Sequence, residues 1–422
     1  MKQLLAYCLS IILCVSFTGC MENYLDLYPE DKITSASFPE NESDIKLLLN
    51  GVYAQLREKE VYNQGLFGFG ITDGATPNAF NWGTDEVFNK LGAGRLSSSD
   101  GGVVTYRWKR CYEIISRANY LLACMDLVDL SEEAKAKYSG ETHFLRGLAY
   151  SVLAETYGGV PIILTNISTE EARSLKRASL EDDYEVAITN LGVDAPEPGR
   201  ATKGAALGMK MRAYLYQGKY KEVLACVEQI DALKKYGLFH SYEGLFDPAN
   251  ENNKEVLFDI QYIEGENSQG SYIDPYCGTG TGSWTRGSRY VPTDDLVAAY
   301  ETIDGSPVDP ENPYENRDPR LGFTAVLPGS YFLGYRFPNY LYPGGAFNHA
   351  GNRLKHLSTR KYRIQDESKL PPSGQSYIND IILRYADVLL SKAEAIIETN
   401  GNVADAIAIL NRIRTERDDV KI

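Results

Sequence analysis

Two segments of the chain combine aromatic rings with polar side chains of the kind that recognise sugars. The apolar faces of pyranose rings stack on Trp and Tyr, whereas the ring hydroxyl groups need carboxylate, amide or guanidinium partners. A buried hydroxyl partner that is left unpaired costs about 1–3 kcal/mol, so both kinds of side chain must lie together. We therefore take as candidate sugar-binding residues Asp73, Asn78, Asn81 and Trp82 in the first segment and Trp284, Arg286 and Tyr290 in the second.

Each of these segments also has a plainer interpretation, in which the tryptophan is partly buried beneath its own loop. Both interpretations stay open for Trp82 and Trp284. Trp108 differs from them, because it lies on a helical stripe with Tyr112 and Ile115, a pattern that favours packing in the core.

A third group of aromatic residues lies within residues 328–347, among glycines and prolines. It includes Tyr331 and Tyr335, which we take as further candidates for glycan contact. Long loops in compact proteins usually carry function. An irregular subdomain, however, also needs large side chains to bury enough surface. Both explanations stay open for this group.

Motifs for catalysis and for metal or cofactor binding are missing from the sequence. There is no HExxH motif, no CxxC pair and no GxSxG elbow. The glycine-rich run at 277–283 lacks the lysine and the following helix of a phosphate-binding loop. His143 lies in a helical stretch, where a packing role is favoured. We therefore expect no catalytic residues, no metal site and no cofactor.

The charge balance excludes one class of partner. The chain of 422 residues has 57 acidic and 43 basic side chains and a formal net charge of −14. Proteins that bind nucleic acid through phosphate contacts are usually basic, so we expect no nucleic-acid partner. The hydrophobic fraction of 43% and the charged fraction of 24% are those of a globular protein.

The N-terminus predicts export from the cytoplasm. Residues 1–19 have a positive start at Lys2 and an apolar run at 4–17, which is shorter than the roughly 20 residues of a membrane span. The run ends before Cys20 in a pattern similar to the bacterial lipobox, so we expect Cys20 to be lipidated. Ordinary signal cleavage beside a chance cysteine is the alternative. The later cysteines show no disulfide or metal spacing, and we expect buried free thiols at Cys111, Cys124, Cys226 and Cys277.

Helical periodicity dominates residues 42–233 and 378–417. We predict helices at 103–125 and 131–157, and two helix–turn–helix pairs at 202–217 with 220–233 and at 381–399 with 403–417. Small residues, a glycine turn and an apolar second helix are typical of tetratricopeptide-like hairpins, which must stack to bury their apolar faces. The region between is rich in proline and glycine, with short runs such as Val256–Ile260 that predict strands. The sequence thus predicts a mainly α fold, with these hairpins as scaffold and an irregular, loop-rich subdomain that carries short strands.

Several motifs, found in one order along the chain, resemble the SusD/RagB-like outer-membrane lipoproteins of Bacteroidetes. They are the lipidated start at Cys20 with Leu25, Asp26 and Pro29, and the segments 144–161, 200–206, 291–305, 317–321 and 383–395. The last of these segments is the most specific. By its sequence, the chain is similar to this family along nearly its whole length.

The resemblance implies a lipid-anchored protein at the cell surface, without enzyme activity, that captures oligosaccharides and delivers them to a SusC-like TonB-dependent transporter. Ligand sites of the family use aromatic platforms. Because Trp82, Trp284 and Tyr290 lie in the corresponding regions of this chain, the resemblance implies the same role for them. We divide the chain into a signal peptide at 1–19, a helical region at 20–233, an aromatic ligand-binding region at 234–378 and a final hairpin at 379–422. Since members of the family usually continue past this hairpin with further helices, we expect a shortened C-terminal region.

Two other functions are compatible with the residues. A tetratricopeptide-type adaptor would bind mainly the transporter or a peptide. A glycosidase of helical-toroid type would need a pair of carboxylates across a cleft, and pairs such as Asp294 and Asp295 arise by chance in an acidic chain.

Overall fold

Helices make up most of the structure, a computed structural model of the chain that describes residues 38–57, 73–81, 90–97, 99–190, 199–263, 270, 290–336, 357–369 and 376–420. The helices are α1 (Glu42–Ala54), α2 (Val103–Cys124), α3 (Glu132–Tyr157), α4 (Thr169–Ser174), α5 (Leu180–Asn190), α6 (Lys203–Tyr216), α7 (Tyr220–Ala232), α8 (Asp294–Ala299), α9 (Arg320–Thr324), α10 (Tyr385–Glu398) and α11 (Val403–Thr415). The predicted mainly α fold is confirmed. None of the helices in the described part of the chain combines the length and the apolar character needed to cross a membrane.

Local capping explains where the long helices begin. The Ser131 side chain accepts a hydrogen bond from the Ala134 amide and starts α3, as its sequence predicts. Thr202 caps α6 in the same way through the Ala205 amide. These caps satisfy amide groups that have no partner inside the helix.

The two predicted helical hairpins are present and stacked. Helix α6 packs on α7, α10 packs on α11, and α7 packs on α10. Glycine at position 208 lets α6 approach the strand that precedes α10, because a Cβ atom there would lie only 2.1 Å from Cδ2 of Leu383. The shared core of α1–α3, α6, α7 and α10 includes Leu145, Phe258 and Leu389 among its buried residues.

Short antiparallel strand pairs join distant parts of the chain. The strands are β1 (Ala79–Asn81), β2 (Val256–Ile260), β3 (Tyr290–Pro292), β4 (Ala325–Val326), β5 (Tyr331–Phe332), β6 (Tyr335–Arg336), β7 (Ser358–Thr359) and β8 (Asp380–Arg384). The pairs are β1 with β3, β2 with β8, β4 with β7, and β5 with β6. The strand predicted at Val256–Ile260 is therefore confirmed.

One sequence prediction is wrong at this point. We expected a helix over 381–399, but residues Asp380–Arg384 form strand β8, and the helix begins only at Tyr385. The β-branched residues Ile381 and Ile382 favour a strand, and pairing with β2 satisfies the backbone of this segment.

Trp108 and the cysteines pack as predicted. The Trp108 ring lies 5.1 Å from the ring of Tyr112 and 5.2 Å from that of Tyr157, against the helical core. Cys111, Cys124 and Cys226 are buried free thiols. Cys277 lies outside the described residues.

Candidate functional site

Strands β1 and β3 bring the two predicted sugar-binding segments together. Asn81 pairs with Tyr290 and Ala79 with Pro292 in an antiparallel register. The Thr293 amide also donates to the Asn78 carbonyl over 3.0 Å. Residues separated by about two hundred positions therefore meet at one edge of the irregular subdomain, which local sequence patterns do not reveal.

A cleft of about 230 Å³ opens beside this strand pair, and we call it the tyrosine cleft. Its lining residues are Asp73, Asn78, Ala79, Tyr242, Pro292, Leu296, Tyr300, Thr324, Thr359, Lys361 and Tyr362. Two of the predicted site residues, Asp73 and Asn78, thus line the same cleft. The lining combines phenol rings with hydroxyl, amide and carboxylate groups, the mixture that a sugar ring requires.

The three tyrosines of this cleft are not among the site residues predicted from the sequence. Tyr300 follows helix α8, and its hydroxyl group lies 2.9 Å from Oγ1 of Thr324 at the end of α9. Tyr362 follows strand β7 and has a φ of +61°, a conformation that costs a residue with a Cβ atom about 1–2 kcal/mol. Tyr242 comes from a loop after α7. All three lie in the region 234–378 that the sequence assigns to ligand binding, but only Tyr300 belongs to a family-like segment, 291–305.

The loop that carries Tyr242 is held by residues that follow the last helix. The Asp419 carboxylate accepts hydrogen bonds from the Ser241 hydroxyl at 2.7 Å and from the amides of Tyr242 and Glu243 at 2.8 and 2.9 Å. The Asp418 amide donates to the His240 carbonyl over 2.7 Å. We call this contact the C-terminal clamp. These hydrogen bonds hold the backbone before and after Tyr242, and so fix the position from which its ring extends.

A buried charge cluster lies behind the cleft. The Glu255 side chain has no exposed surface, and its Oε1 atom accepts from Nη1 of Arg384 and Nη2 of Arg417, both at 2.8 Å. Its Oε2 atom accepts from the Phe239 amide at 2.7 Å. The Arg417 guanidinium also lies 5.5 Å from the centre of the Tyr242 ring. The cluster therefore connects the C-terminal clamp with Tyr242, which lines the cleft.

Lys361 brings a positive charge into the cleft itself. Its ammonium nitrogen lies 4.6 Å from the ring centre of Phe246, 5.1 Å from that of Tyr362 and 5.6 Å from that of Tyr242. Each such cation–π contact contributes about 0.5–2 kcal/mol, depending on how far it is shielded from water. These rings fix the position of the ammonium group.

The charges around Tyr242 change its acidity. Burial acts to raise the pKa of the Tyr242 phenol, but the Lys361 ammonium and the Arg384 guanidinium outweigh it and lower that pKa. Burial likewise acts to lower the pKa of Lys361, but the facing phenol groups of Tyr242 and Tyr362 outweigh it and raise that pKa. Lys361 is therefore charged at neutral pH.

The other predicted site residues are placed as follows. Asn81 and Tyr290 lie opposite each other on the β1–β3 pair. Tyr331 is on the β5–β6 hairpin with 68% of its surface exposed, and Tyr335 is on the second strand of that hairpin. Tyr331 is not among the described residues that line the tyrosine cleft. Trp82, Trp284, Arg286 and the predicted lipidation site Cys20 lie outside the described residues.

Asp294 and Asp295 are adjacent, exposed residues in the first turn of α8, so their side chains do not face each other across a cleft. Within the described ranges, no group of His, Cys, Asp and Glu side chains is arranged to hold a metal ion.

Two family models match the chain and together span most of it. One is described as starch-binding associating with outer membrane and matches residues 23–215, and the other is the SusD family and matches residues 254–417. A SusD-like protein of Formosa agariphila is 26% identical over 98% of this chain and 81% of its own length. The chain belongs to the SusD-like family.

Solved structures of SusD-like proteins have the same fold. A SusD-like carbohydrate binding protein from Bacteroides fragilis superimposes with a TM-score of 0.78 at 25% identity, covering 90% of this chain and 79% of that one. A laminarin binding SusD-like protein gives a TM-score of 0.72 at 19% identity, covering 89% and 84%. The family is thus one of carbohydrate-binding proteins. The description of one of the two matching family models also names an association with the outer membrane.

Proposed function

We propose that the chain is a cell-surface glycan-binding lipoprotein that captures oligosaccharides in the tyrosine cleft and delivers them to a SusC-like TonB-dependent transporter. The observation that carries this proposal is the composition of the cleft, in which three tyrosine rings lie beside the polar groups of Asp73, Asn78 and Thr324. Rings provide stacking surfaces for sugars, and the polar groups provide partners for sugar hydroxyls. The carbohydrate-binding SusD-like protein of the same fold supports this assignment.

The aromatic candidates outside the described residues extend the same site in this proposal. Trp82 directly follows strand β1, and Trp284 and Arg286 precede strand β3 by a few residues. Because Ala79 of β1 and Pro292 of β3 both line the cleft, we assign the residues that follow β1 and precede β3 to the same site. The proposed platform therefore consists of the cleft tyrosines together with Trp82, Trp284 and Tyr290.

Affinity electrophoresis through gels that contain soluble polysaccharides tests the binding function. The unmodified chain should be retarded by at least one polysaccharide, and the variants Tyr300→Ala and Asn78→Ala should each lose most of that retardation. Tyr120→Ala is the matched control, since this tyrosine on helix α2 has 40% of its surface exposed and does not line the cleft. Retardation that is equal in all three variants would contradict the location of the site.

Binding without hydrolysis is part of the proposal. Incubation of the pure protein with any retained polysaccharide should release no new reducing ends. Release of reducing ends would identify a glycosidase, and retardation by peptides alone would identify an adaptor of tetratricopeptide type.

Anchoring and delivery need separate tests. Two or more acyl chains hold a protein on a membrane stably, so Cys20→Ala should move the chain from the membrane fraction to the soluble fraction. The proposed transporter partner should co-purify with the tagged protein from solubilised outer membranes of the source bacterium. A lipidated chain that purifies without any TonB-dependent transporter would contradict the delivery step.

A further inference from the structure

Lys361 differs from the other cations around the tyrosine cleft in its partners. Arg384 and Arg417 share the Glu255 carboxylate, Arg320 pairs with Asp318, and Arg360 pairs with Glu243. Across the part of the chain that the structure describes, no carboxylate lies within ion-pair distance of the Lys361 ammonium. Its close neighbours are instead the rings of Phe246, Tyr362 and Tyr242.

Aromatic rings stabilise a cation without neutralising it. A carboxylate partner would cancel most of the field of the ammonium group, whereas a ring quadrupole leaves the net charge in place. The half-buried Lys361 therefore presents a full positive charge to the cleft that it lines. A ligand that carries a negative charge would supply a counterion that the described residues do not supply.

The groups beside Lys361 are suited to an oxyanion. Tyr242, Thr324 and Thr359, which line the same cleft, each carry a hydroxyl group, a type of group that can donate a hydrogen bond as well as accept one. Asp73 is the acidic member of the lining, and it comes from the turn before strand β1, whereas Lys361 follows strand β7. In this arrangement the Lys361 ammonium would hold a negative group of the ligand, and the Asp73 carboxylate would accept a hydrogen bond from a neutral sugar hydroxyl.

We propose that the tyrosine cleft selects glycans that carry a carboxylate or a sulfate group, with the Lys361 ammonium as the counterion of that group. This inference rests on the proposed glycan-binding function and names the ligand class of the same cleft. The formal net charge of −14 would repel such a glycan from most of the protein surface. Salt at about 0.15 M screens charges beyond about 8 Å, so the nearby ammonium would decide binding at physiological ionic strength.

The test compares polymers that differ in charge. Polygalacturonate and alginate carry carboxylates, κ-carrageenan carries sulfates, and methyl-esterified polygalacturonate and laminarin serve as neutral polymers. In affinity gels at 0.15 M salt, we expect at least one anionic polymer to retard the protein. If polygalacturonate is that polymer, its methyl ester should retard the protein at least tenfold more weakly. Carboxylate and sulfate ligands are distinguished by which of the anionic polymers is retained.

Variants at position 361 link the selectivity to one charge. Lys361→Met keeps the aliphatic chain between the rings but removes the charge, and it should weaken retention of the anionic polymer at least tenfold. Lys361→Arg keeps the charge and should stay within about threefold of the unmodified chain. Lys109→Met removes an exposed lysine of helix α2, whose side chain is 61% exposed, and should change nothing. Far-UV circular dichroism verifies that each variant is folded.

The outcomes separate the two proposals. Retention of laminarin alone, or equal retention of an anionic polymer by the unmodified chain and Lys361→Met, overturns the charge selectivity and leaves glycan binding intact. Weakening by Lys361→Arg as large as that by Lys361→Met also overturns it, because shape rather than charge would then be decisive. Retention by no polysaccharide overturns the glycan-binding function itself.

Discussion

Replacing Arg417 by Gln should destabilise the protein far more than the same replacement three residues earlier, at Arg414. The Arg417 side chain is 1% exposed and pairs over 2.8 Å with Glu255, which has no exposed surface. Arg414 pairs with Glu301 over 3.4 Å, and the two side chains are 44% and 75% exposed. The two variants therefore compare the loss of a buried ion pair with the loss of a solvent-exposed ion pair, both near the end of helix α11.

The expected magnitudes follow from burial. Breaking a buried ion pair by removing one partner costs about 3–5 kcal/mol, because the remaining charge stays buried. Since Glu255 keeps Arg384 and the Phe239 amide as partners, we expect the lower end, about 3 kcal/mol, for Arg417→Gln. An exposed pair screened by water contributes under about 0.5 kcal/mol, which is our expectation for Arg414→Gln.

Urea and thermal unfolding monitored by circular dichroism measure the difference. Unfolding entropy is about 2.1 cal/mol/K per residue, so for a chain of this length 3 kcal/mol corresponds to a melting temperature about 3–4 °C lower. Arg414→Gln should shift it by less than about 1 °C. A double-mutant cycle with Glu255→Gln should give a coupling free energy above about 1 kcal/mol, since the residues are in direct contact. Equal shifts for the two arginine variants, or no coupling with Glu255, would show that burial of the Arg417–Glu255 pair does not determine its contribution to stability.

Three further predictions concern stability. Gly208→Ala should lower the free energy of unfolding by about 1–3 kcal/mol, because its Cβ atom would meet Leu383 at 2.1 Å, as measured by urea unfolding. Gly51→Ala is its control in another helix, where the nearest atom lies 3.8 Å away, and it should raise that free energy by about 0.5–1 kcal/mol. Burial raises the pKa of Asp259 from its usual 3.8 to about 6, so its folded carboxyl group binds the proton more tightly than the unfolded one does. The contribution of Asp259 to stability should therefore fall by about 2–3 kcal/mol as the pH rises from about 4 to about 6. Burial also raises the pKa of Glu251 to about 7 and that of Asp183 to about 6, so between pH 4 and pH 7 the stability of Asp259→Asn should fall less than that of the unmodified chain by about this amount. Lys234, just after helix α7, has a φ of +54°, so Lys234→Gly should stabilise the protein by about 0.5–1 kcal/mol, and a lower melting temperature would contradict the assigned strain.

The helical scaffold could be predicted from the sequence because its signals are local. Periodic apolar residues and the capping side chains of Ser131 and Thr202 lie within a few positions of the turns that they stabilise. Strand β8 could not be predicted in this way. The apolar run at 381–383 fits a helix or a strand, and its partner β2 lies more than one hundred residues earlier, so the choice depends on a distant contact.

The residues of the candidate site also differ in whether local sequence could predict them. Asp73 and Asn78 were identified from the composition of one short segment, and the structure places both in the cleft. Tyr242, Lys361 and Tyr362 belong to two segments with no sugar-binding pattern of their own, and only the packing of the fold brings these segments together. Their role could not be predicted from the sequence, because their separations along the chain follow no known motif.

The C-terminal clamp also has a consequence for the time at which the cleft forms. The hydrogen bond from Ser241 to Asp419 joins residues 178 positions apart, and the neighbouring bonds to Tyr242 and Glu243 span 177 and 176 positions. Contacts between such distant residues form late in folding, after the loop-closure entropy between them has been overcome. The ribosome must also have released Asp419 before the Tyr242 loop can take its final position. The earlier helices can therefore assemble ahead of the cleft, and a growing chain gains this binding surface only after Asp418 and Asp419 have been synthesised.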